Sequence, residues 1–162
     1  MPIHIKAWLR WRQYEVKKMY NQNPEEAASI WMEEMKVLET QVQRRSINYE
    51  TMQILTGHGI FNWYRHRIGK ESHTSCWDCG AELDDTEHVL FWCPRWAAER
   101  AELEAEIGED FAIENRVVEK IATEEGIWRK FSLLCTKAMR CRLRKGREME
   151  RMRRVEDGRM AE

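Results

Sequence analysis

Cys76-Trp77-Asp78-Cys79-Gly80, followed by His88 and then by Cys93-Pro94, is the stretch from which the rest of this chain is read. The spacing is Cys-x2-Cys-x8-His-x4-Cys. Two cysteines separated by two residues curl through a tight turn so that both sulfurs face one point, and Gly80 suits the left-handed backbone such a turn favours. Asp85 or Thr86 is placed to cap a short helix carrying His88, and Pro94 should end that helix near Cys93. Four protein donors fill a tetrahedron and leave no position for water or substrate, so Cys76, Cys79, His88 and Cys93 are expected to hold a structural, not catalytic, Zn2+. Two plainer readings stand beside this one: buried thiols with a histidine nearby, or a disulfide, which would need an oxidising compartment.

The surrounding composition favours helices. Of 162 residues 34% are charged and 43% hydrophobic, with only 8 Gly and 3 Pro, a balance poor in the turn formers of a β architecture. The expected fold is all-α, mainly helical, with one small CCHC zinc module and little or no β-sheet. Three regions are expected: an N-terminal helical segment (1–45), a central unit carrying the zinc module (46–110), and C-terminal helices with a basic, partly frayed end (111–162). No apolar run approaches the ~20 residues of a membrane span, and the first residues lack the apolar stretch of a signal peptide. An intracellular protein without a membrane partner is expected, and Cys135 and Cys141, outside the array, should serve helix packing.

Local signals divide the chain. Asn23-Pro24-Glu25-Glu26 marks a helix start, followed by an apolar stripe at Ala27, Trp31, Met35, Leu38 and Val42. Thr56-Gly57-His58-Gly59 ends a short helix bearing Tyr49, Met52 and Leu55. Val117, Val118 and Ile121 mark another short helix. The last helix shows the strongest stripe, Ile127, Trp128, Phe131, Leu134, Cys135, Ala138 and Cys141. The net charge of −1 conceals segregation: residues 97–125 are acid-rich, and 137–154 are basic.

Two stretches carry a resemblance: Thr56-Gly57-His58-Gly59-Ile60-Phe61-Asn62-Trp63-Tyr64-Arg65-His66-Arg67-Ile68-Gly69, and Asp85-Thr86-Glu87-His88-Val89-Leu90-Phe91-Trp92-Cys93-Pro94-Arg95. Together they resemble the C-terminal CCHC-containing region of the Pol polyprotein of insect non-LTR type-1 retrotransposons. The resemblance implies zinc ligation by Cys76, Cys79, His88 and Cys93, and a full-length parent with an endonuclease and an RNA-directed DNA polymerase. Neither activity is located in this chain: its aspartates, Asp78, Asp84, Asp85, Asp110 and Asp157, include no Tyr-x-Asp-Asp. Residues 24–45 also depart from the family, with a glutamate-rich amphipathic helix in place of a Gly-Trp-Thr-type segment.

Residues 44–70 mix Arg44, Arg45, Arg65, Arg67 and Lys70 with Phe61, Trp63 and Tyr64, while acid is confined to Glu50. Guanidinium groups neutralise phosphates, and aromatic faces stack on unpaired bases at about 1–3 kcal/mol each. With His58 and Trp77, the set Arg44, Arg45, Trp63, Arg65, Arg67 and Lys70 is the expected contact surface for single-stranded or structured RNA or DNA. The simpler account makes Phe61 and Tyr64 core residues and the arginines solvated. Other expected partners are the rest of the polyprotein and, through an exposed Ile127-Phe131-Leu134 stripe, a second copy. A nuclear phase follows if the chain acts on a genome. The competing function is a domesticated, zinc-stapled protein-interaction domain with no nucleic-acid role; an enzyme in its own right lacks any acid–base constellation.

Overall fold

The computed structural model describes residues 3–43, 46–112 and 116–160, and side chains 3–5 and 35–43 are left aside. Helices α1 (Ile3–Met19), α2 (Pro24–Gln43), α3 (Tyr49–Thr56), α4 (Asn62–Arg67), α5 (Ala97–Ile107), α6 (Val117–Thr123) and α7 (Glu125–Met160) form the frame. No strand occurs among the described residues. The fold is therefore all-helical, with the Cys/His segment inserted between α4 and α5.

The local chemistry explains the boundaries. Asn23 Oδ1 accepts the Glu26 amide at 3.2 Å ahead of Pro24, and Glu25 and Glu26 sit at the positive end of α2. Asn48 accepts the Thr51 amide at 2.8 Å to start α3, and Gly57 ends it with φ 71°, donating to the Gln53 carbonyl.

One core joins the two ends of the sequence. Trp8 of α1 is 1% exposed and lies 5.5 Å from Trp128 and 5.9 Å from Phe131 of α7, ring centroid to ring centroid. Around it α1 packs on α2, α3 and α6, and α7 on α3, α5 and α6. Ile127, Phe131 and Leu134, expected to be exposed if α7 self-associates, are all buried, because the α3, α5 and α6 faces close over them. That stripe offers no free face to a second copy. Cys135 is fully buried, as helix packing requires.

The basic end of the chain extends the last helix. Residues 145–160 continue α7 as helix, and Arg153 binds the inward-facing Glu71 carboxylate through two oxygens at 2.6 and 2.7 Å.

Beside the apolar core lies a charged one. Arg12 and Glu15 of α1 are buried and paired with each other; Arg12 also meets Glu34 of α2 and Glu119 of α6, while Glu15 accepts the Val118 amide at 2.8 Å. Burial raises the Glu15 carboxyl above its ordinary value, against the pull of that amide and of Arg12.

Candidate metal centre and its surroundings

Cys76, Cys79, His88 and Cys93 converge, their donor atoms all within 4.8 Å of one another. Cys76 Sγ lies 3.9 Å from Cys93 Sγ, Cys93 Sγ 4.0 Å from Cys79 Sγ, and Cys79 Sγ 3.3 Å from His88 Nε2. A tetrahedral ion with metal–sulfur bonds of about 2.3 Å and a metal–nitrogen bond of about 2.0–2.1 Å sets sulfurs about 3.8 Å apart and sulfur and nitrogen about 3.5 Å apart. The cluster fits such an ion. Cys79 is exposed and the other three are buried, so the centre sits just beneath the surface.

Each half of the cluster has its own local cause. In the first, the Cys76 amide donates to the Ala81 carbonyl at 2.9 Å and the Gly80 amide to the Cys76 carbonyl at 3.0 Å, closing a loop in which Gly80 has φ 75°. The Asp78 amide points at Cys76 Sγ from 3.4 Å, a contact that favours thiolate. In the second half, Asp85 Oδ1 accepts the His88 amide at 2.8 Å and supplies the expected cap, while the Thr86 hydroxyl instead donates to the Ile54 carbonyl of α3.

The turn that follows is not an α-helix. Residues His88–Trp92 form a π turn in which the Cys93 amide donates to the His88 carbonyl at 2.7 Å. At about 100° per residue, positions five apart on an α-helix diverge by about 140°. Widening the turn to i→i−5 brings His88 and Cys93 onto one side, a conformation common at functional sites. The carbonyls left over at its end are met by buried Arg100, which donates to Val89, Leu90 and Cys93.

The cluster is tied to the frame by a second set of buried groups that composition did not single out. Asp84 Oδ2 accepts the Asn62 amide at 2.9 Å and pairs with Arg142 of α7, and the Asp84 carbonyl accepts the Trp63 amide at 3.1 Å. Arg142, 1% exposed, also donates to the Ile60 carbonyl at 2.6 Å and lies over the Phe61 and Trp77 rings. Asn62 Nδ2 donates to the Ser75 carbonyl at 2.7 Å. Gly146 of α7 leaves room for Trp77, since a Cβ there would stand 3.3 Å from its ring. The start of α4, the metal loop and α7 are thus locked together. A signal for Arg142 existed: it continues the inward spacing of Phe131, Cys135 and Ala138.

Burial chiefly, and then the neighbouring thiols, push the Cys93 thiol up to about 12; burial also raises Cys76. Burial likewise lowers the His88 imidazole, keeping it in the neutral, ligating form at pH 7. Three thiols must lose protons when a cation binds as thiolate across the neutral range, while the neutral His88 loses none. Apparent metal affinity should rise steeply with pH between pH 6 and 8, approaching about a thousandfold per unit. Chelator competition at pH 6, 7 and 8 measures this, and a pH-independent affinity would contradict the ligand assignment.

The expected nucleic-acid residues fall into different environments. Arg44 and Arg45 lie outside the described residues. Arg65 is largely covered, facing Glu150 at 3.3 Å and the Trp77 ring at 5.5 Å, and Trp77 is half-buried against α7. His58 is exposed and stacks on Tyr64 at 4.9 Å. Lys70 and Arg67 are exposed; Arg67 lies over the Trp63 ring at 5.7 Å. Phe61 is core. Trp63 also borders a groove of ≈300 Å3 with Arg10, Trp11, Tyr14 and Glu87. Trp63, Arg67, Lys70 and His58 thus form the open part of the set, and Arg65 and Trp77 serve the wall behind it.

Over 53 residues, 33% of the chain, the sequence is 42% identical to the retrovirus-related Pol polyprotein from type-1 retrotransposable element R1 4 of Nasonia vitripennis. The match spans 13% of that protein's length. No family model matches the chain, and no solved structure does.

Proposed function

We propose that this chain is a zinc-stapled nucleic-acid-binding accessory region of a non-LTR retrotransposon Pol polyprotein, whose full-length parent carries RNA-directed DNA polymerase and endonuclease activity. Similarity to one such polyprotein supports the setting. The observation that carries the binding role is the linkage of the four-donor cluster to α4 through Asp84 and Asn62, which presents Trp63 and Arg67 on a rigid shelf. Three thiols and one imidazole suit Zn2+, which would fix the loop against α4 and α7. Zinc in a closed site of this kind supplies structure and no chemistry. The partner is RNA or DNA with unpaired bases, which Trp63 stacks on while Arg67 and Lys70 meet phosphates. The remainder of the polyprotein is the other partner, and the setting is intracellular, with at least a transient nuclear phase.

The test is a salt titration of the metal-loaded chain with a labelled 20-nucleotide single strand. Log affinity should fall linearly with log salt, and Trp63→Ala/Arg67→Gln should weaken binding roughly tenfold or more, the equivalent of about one stacked base plus one phosphate contact. Absence of salt-dependent binding to RNA or DNA at low salt would sink the proposal and leave the protein-interaction reading.

A further inference from the structure

The distal half of α7 carries a feature that the Trp63 shelf does not use. Positions Arg142, Gly146, Met149 and Arg153 turn inward, buried or half-buried, whereas Arg144, Arg147, Arg151 and Arg154 are exposed. The exposed four recur at spacings of three and four and so share one face of the helix. Several surface cations elsewhere are matched by acids: Arg116 meets Glu34 and Glu119, Arg129 meets Glu125, Lys137 meets Glu99 and Arg140 meets Glu50. Among the described residues no carboxylate comes within ion-pair distance of Arg144, Arg147, Arg151 or Arg154. Glu148, Glu150 and Glu156 border the track without closing on it, Glu150 being turned to Arg65.

Two further observations set this face apart from an ordinary solvated one. The Arg153–Glu71 and Arg65–Glu150 contacts hold α7 in rotation, so the arginines cannot turn toward the body of the protein. At its upper end the track opens into a cleft of ≈450 Å3 beside the metal loop, lined by Arg95, Arg142, Arg144, Lys145, Asp78 and Glu148. There the buried Arg142 Nη1 has no hydrogen-bond partner, and Asp78 Oδ2 stands 3.7 Å from it. A buried guanidinium nitrogen left unsatisfied beside a cationic cleft is a place where an anion oxygen would be favoured.

We propose that this track, from the Arg95 cleft along Arg144, Arg147, Arg151 and Arg154, binds the phosphate backbone of a double-helical nucleic acid. The track exposes no aromatic side chain, since Trp96 at the cleft is buried, so it lacks the stacking platform that single strands require. Arg144 and Arg154 are ten residues apart, about 15 Å along the helix. That length exceeds the roughly 12 Å width of a B-form major groove, so the ends of the track reach the phosphate ridges on both sides. Contacts of this kind position a protein on a duplex without reading its sequence. The inference rests on the nucleic-acid reading above but on different residues.

The experiment uses the full metal-loaded chain with a 20-base-pair DNA duplex, an RNA duplex of the same sequence and a 20-nucleotide single strand. Arg147→Gln/Arg151→Gln/Arg154→Gln should flatten the salt dependence for the preferred duplex by about 2.7 in log–log slope, about 0.9 per lost contact in DNA. Duplex affinity should fall at least tenfold whatever the base sequence, with an unchanged thermal midpoint and a smaller loss on the single strand. Lysine at the same three positions should keep the slope, separating charge from fold, and the single variant Arg151→Gln should lower it by about 0.9. Unchanged duplex slope and affinity in the triple variant would overturn the proposal, as would binding to phosphatidylserine vesicles with none to either duplex. If Trp63→Ala/Arg67→Gln leaves single-strand binding intact while the α7 variant loses duplex binding, the shelf reading fails and this one holds.

Discussion

Cys93→Ser, or exhaustive removal of metal by a strong chelator, is expected to unfold residues 73–96 while leaving much of the helical frame in place. Structural zinc in small modules contributes on the order of 10 kcal/mol of binding free energy, which is folding free energy wherever the site exists only when folded. What else holds the loop is chiefly polar, the Asp84–Arg142 pair and the Asn62–Ser75 bond. Its buried apolar groups are few: Cys76, Val89, Leu90, Cys93 and Trp96. With the cation gone, the Cys76 and Cys93 thiols and the His88 imidazole would share a space that burial already makes hostile to their ionised forms. The π turn is the weakest piece, because its i→i−5 geometry is maintained by the convergence of His88 and Cys93 and by Arg100 beneath it. The Trp8–Trp128–Phe131 contacts are made between α1 and α7, involve no metal ligand, and should persist. Hydrogen exchange should therefore show protection lost at 73–96 and retained in α1 and α7, alongside a partial drop in far-ultraviolet circular dichroism. An unchanged spectrum and exchange pattern after chelation would remove the metal from the account.

Arg142→Met should cost about 3–5 kcal/mol, the usual penalty for stranding one member of a buried ion pair. For a chain of this size that is a drop in thermal midpoint of roughly 6–20 °C. The stranded partner is Asp84, whose carboxyl burial already lifts above its ordinary value despite the pull of Arg142. Loss of the guanidinium also strips the Ile60 carbonyl of its donor. Arg140→Met provides the contrast two positions away. Its pair with Glu50 is exposed, and such pairs are worth about 0–1 kcal/mol. Adding Asp84→Asn to Arg142→Met should recover part of the loss, because the uncompensated buried charge is then gone. Equal midpoints for the Arg140 and Arg142 variants would show that burial at 142 has been misjudged.

The contrast between these two arginines marks the limit of what a reader of the sequence can extract. The four donor residues were legible because their spacing is fixed by the geometry of one ion, and the helix boundaries at Asn23 and Gly57 because capping is local chemistry. The inward stripe of α7 was legible as far as Cys141. Beyond it the stripe continues through Arg142 and Gly146, where a charge and a glycine sit at core positions and break the apolar pattern. Arg12 and Glu15 are hidden in α1 by the same means, since their partners Glu34 and Glu119 are brought up only by the packing of α2 and α6. The π turn was illegible for a different reason: it is imposed by what His88 and Cys93 must jointly face. The Arg65 side chain reads as available in sequence and is occupied in space, because Trp77 and Glu150 arrive from distant positions.

The Trp8–Trp128 contact has a consequence in time as well as in space. The metal loop is complete once Cys93 has emerged from the ribosome, all its donors lying within one short stretch. Trp128 is made 120 positions after Trp8. At synthesis rates of about 5–20 residues per second, α1 waits roughly 6–24 s for the helix that will cover it. During that interval the indoles of Trp8 and Trp11 have only early neighbours for shelter. The metal loop therefore has all its donors before α7 is available to close over α1.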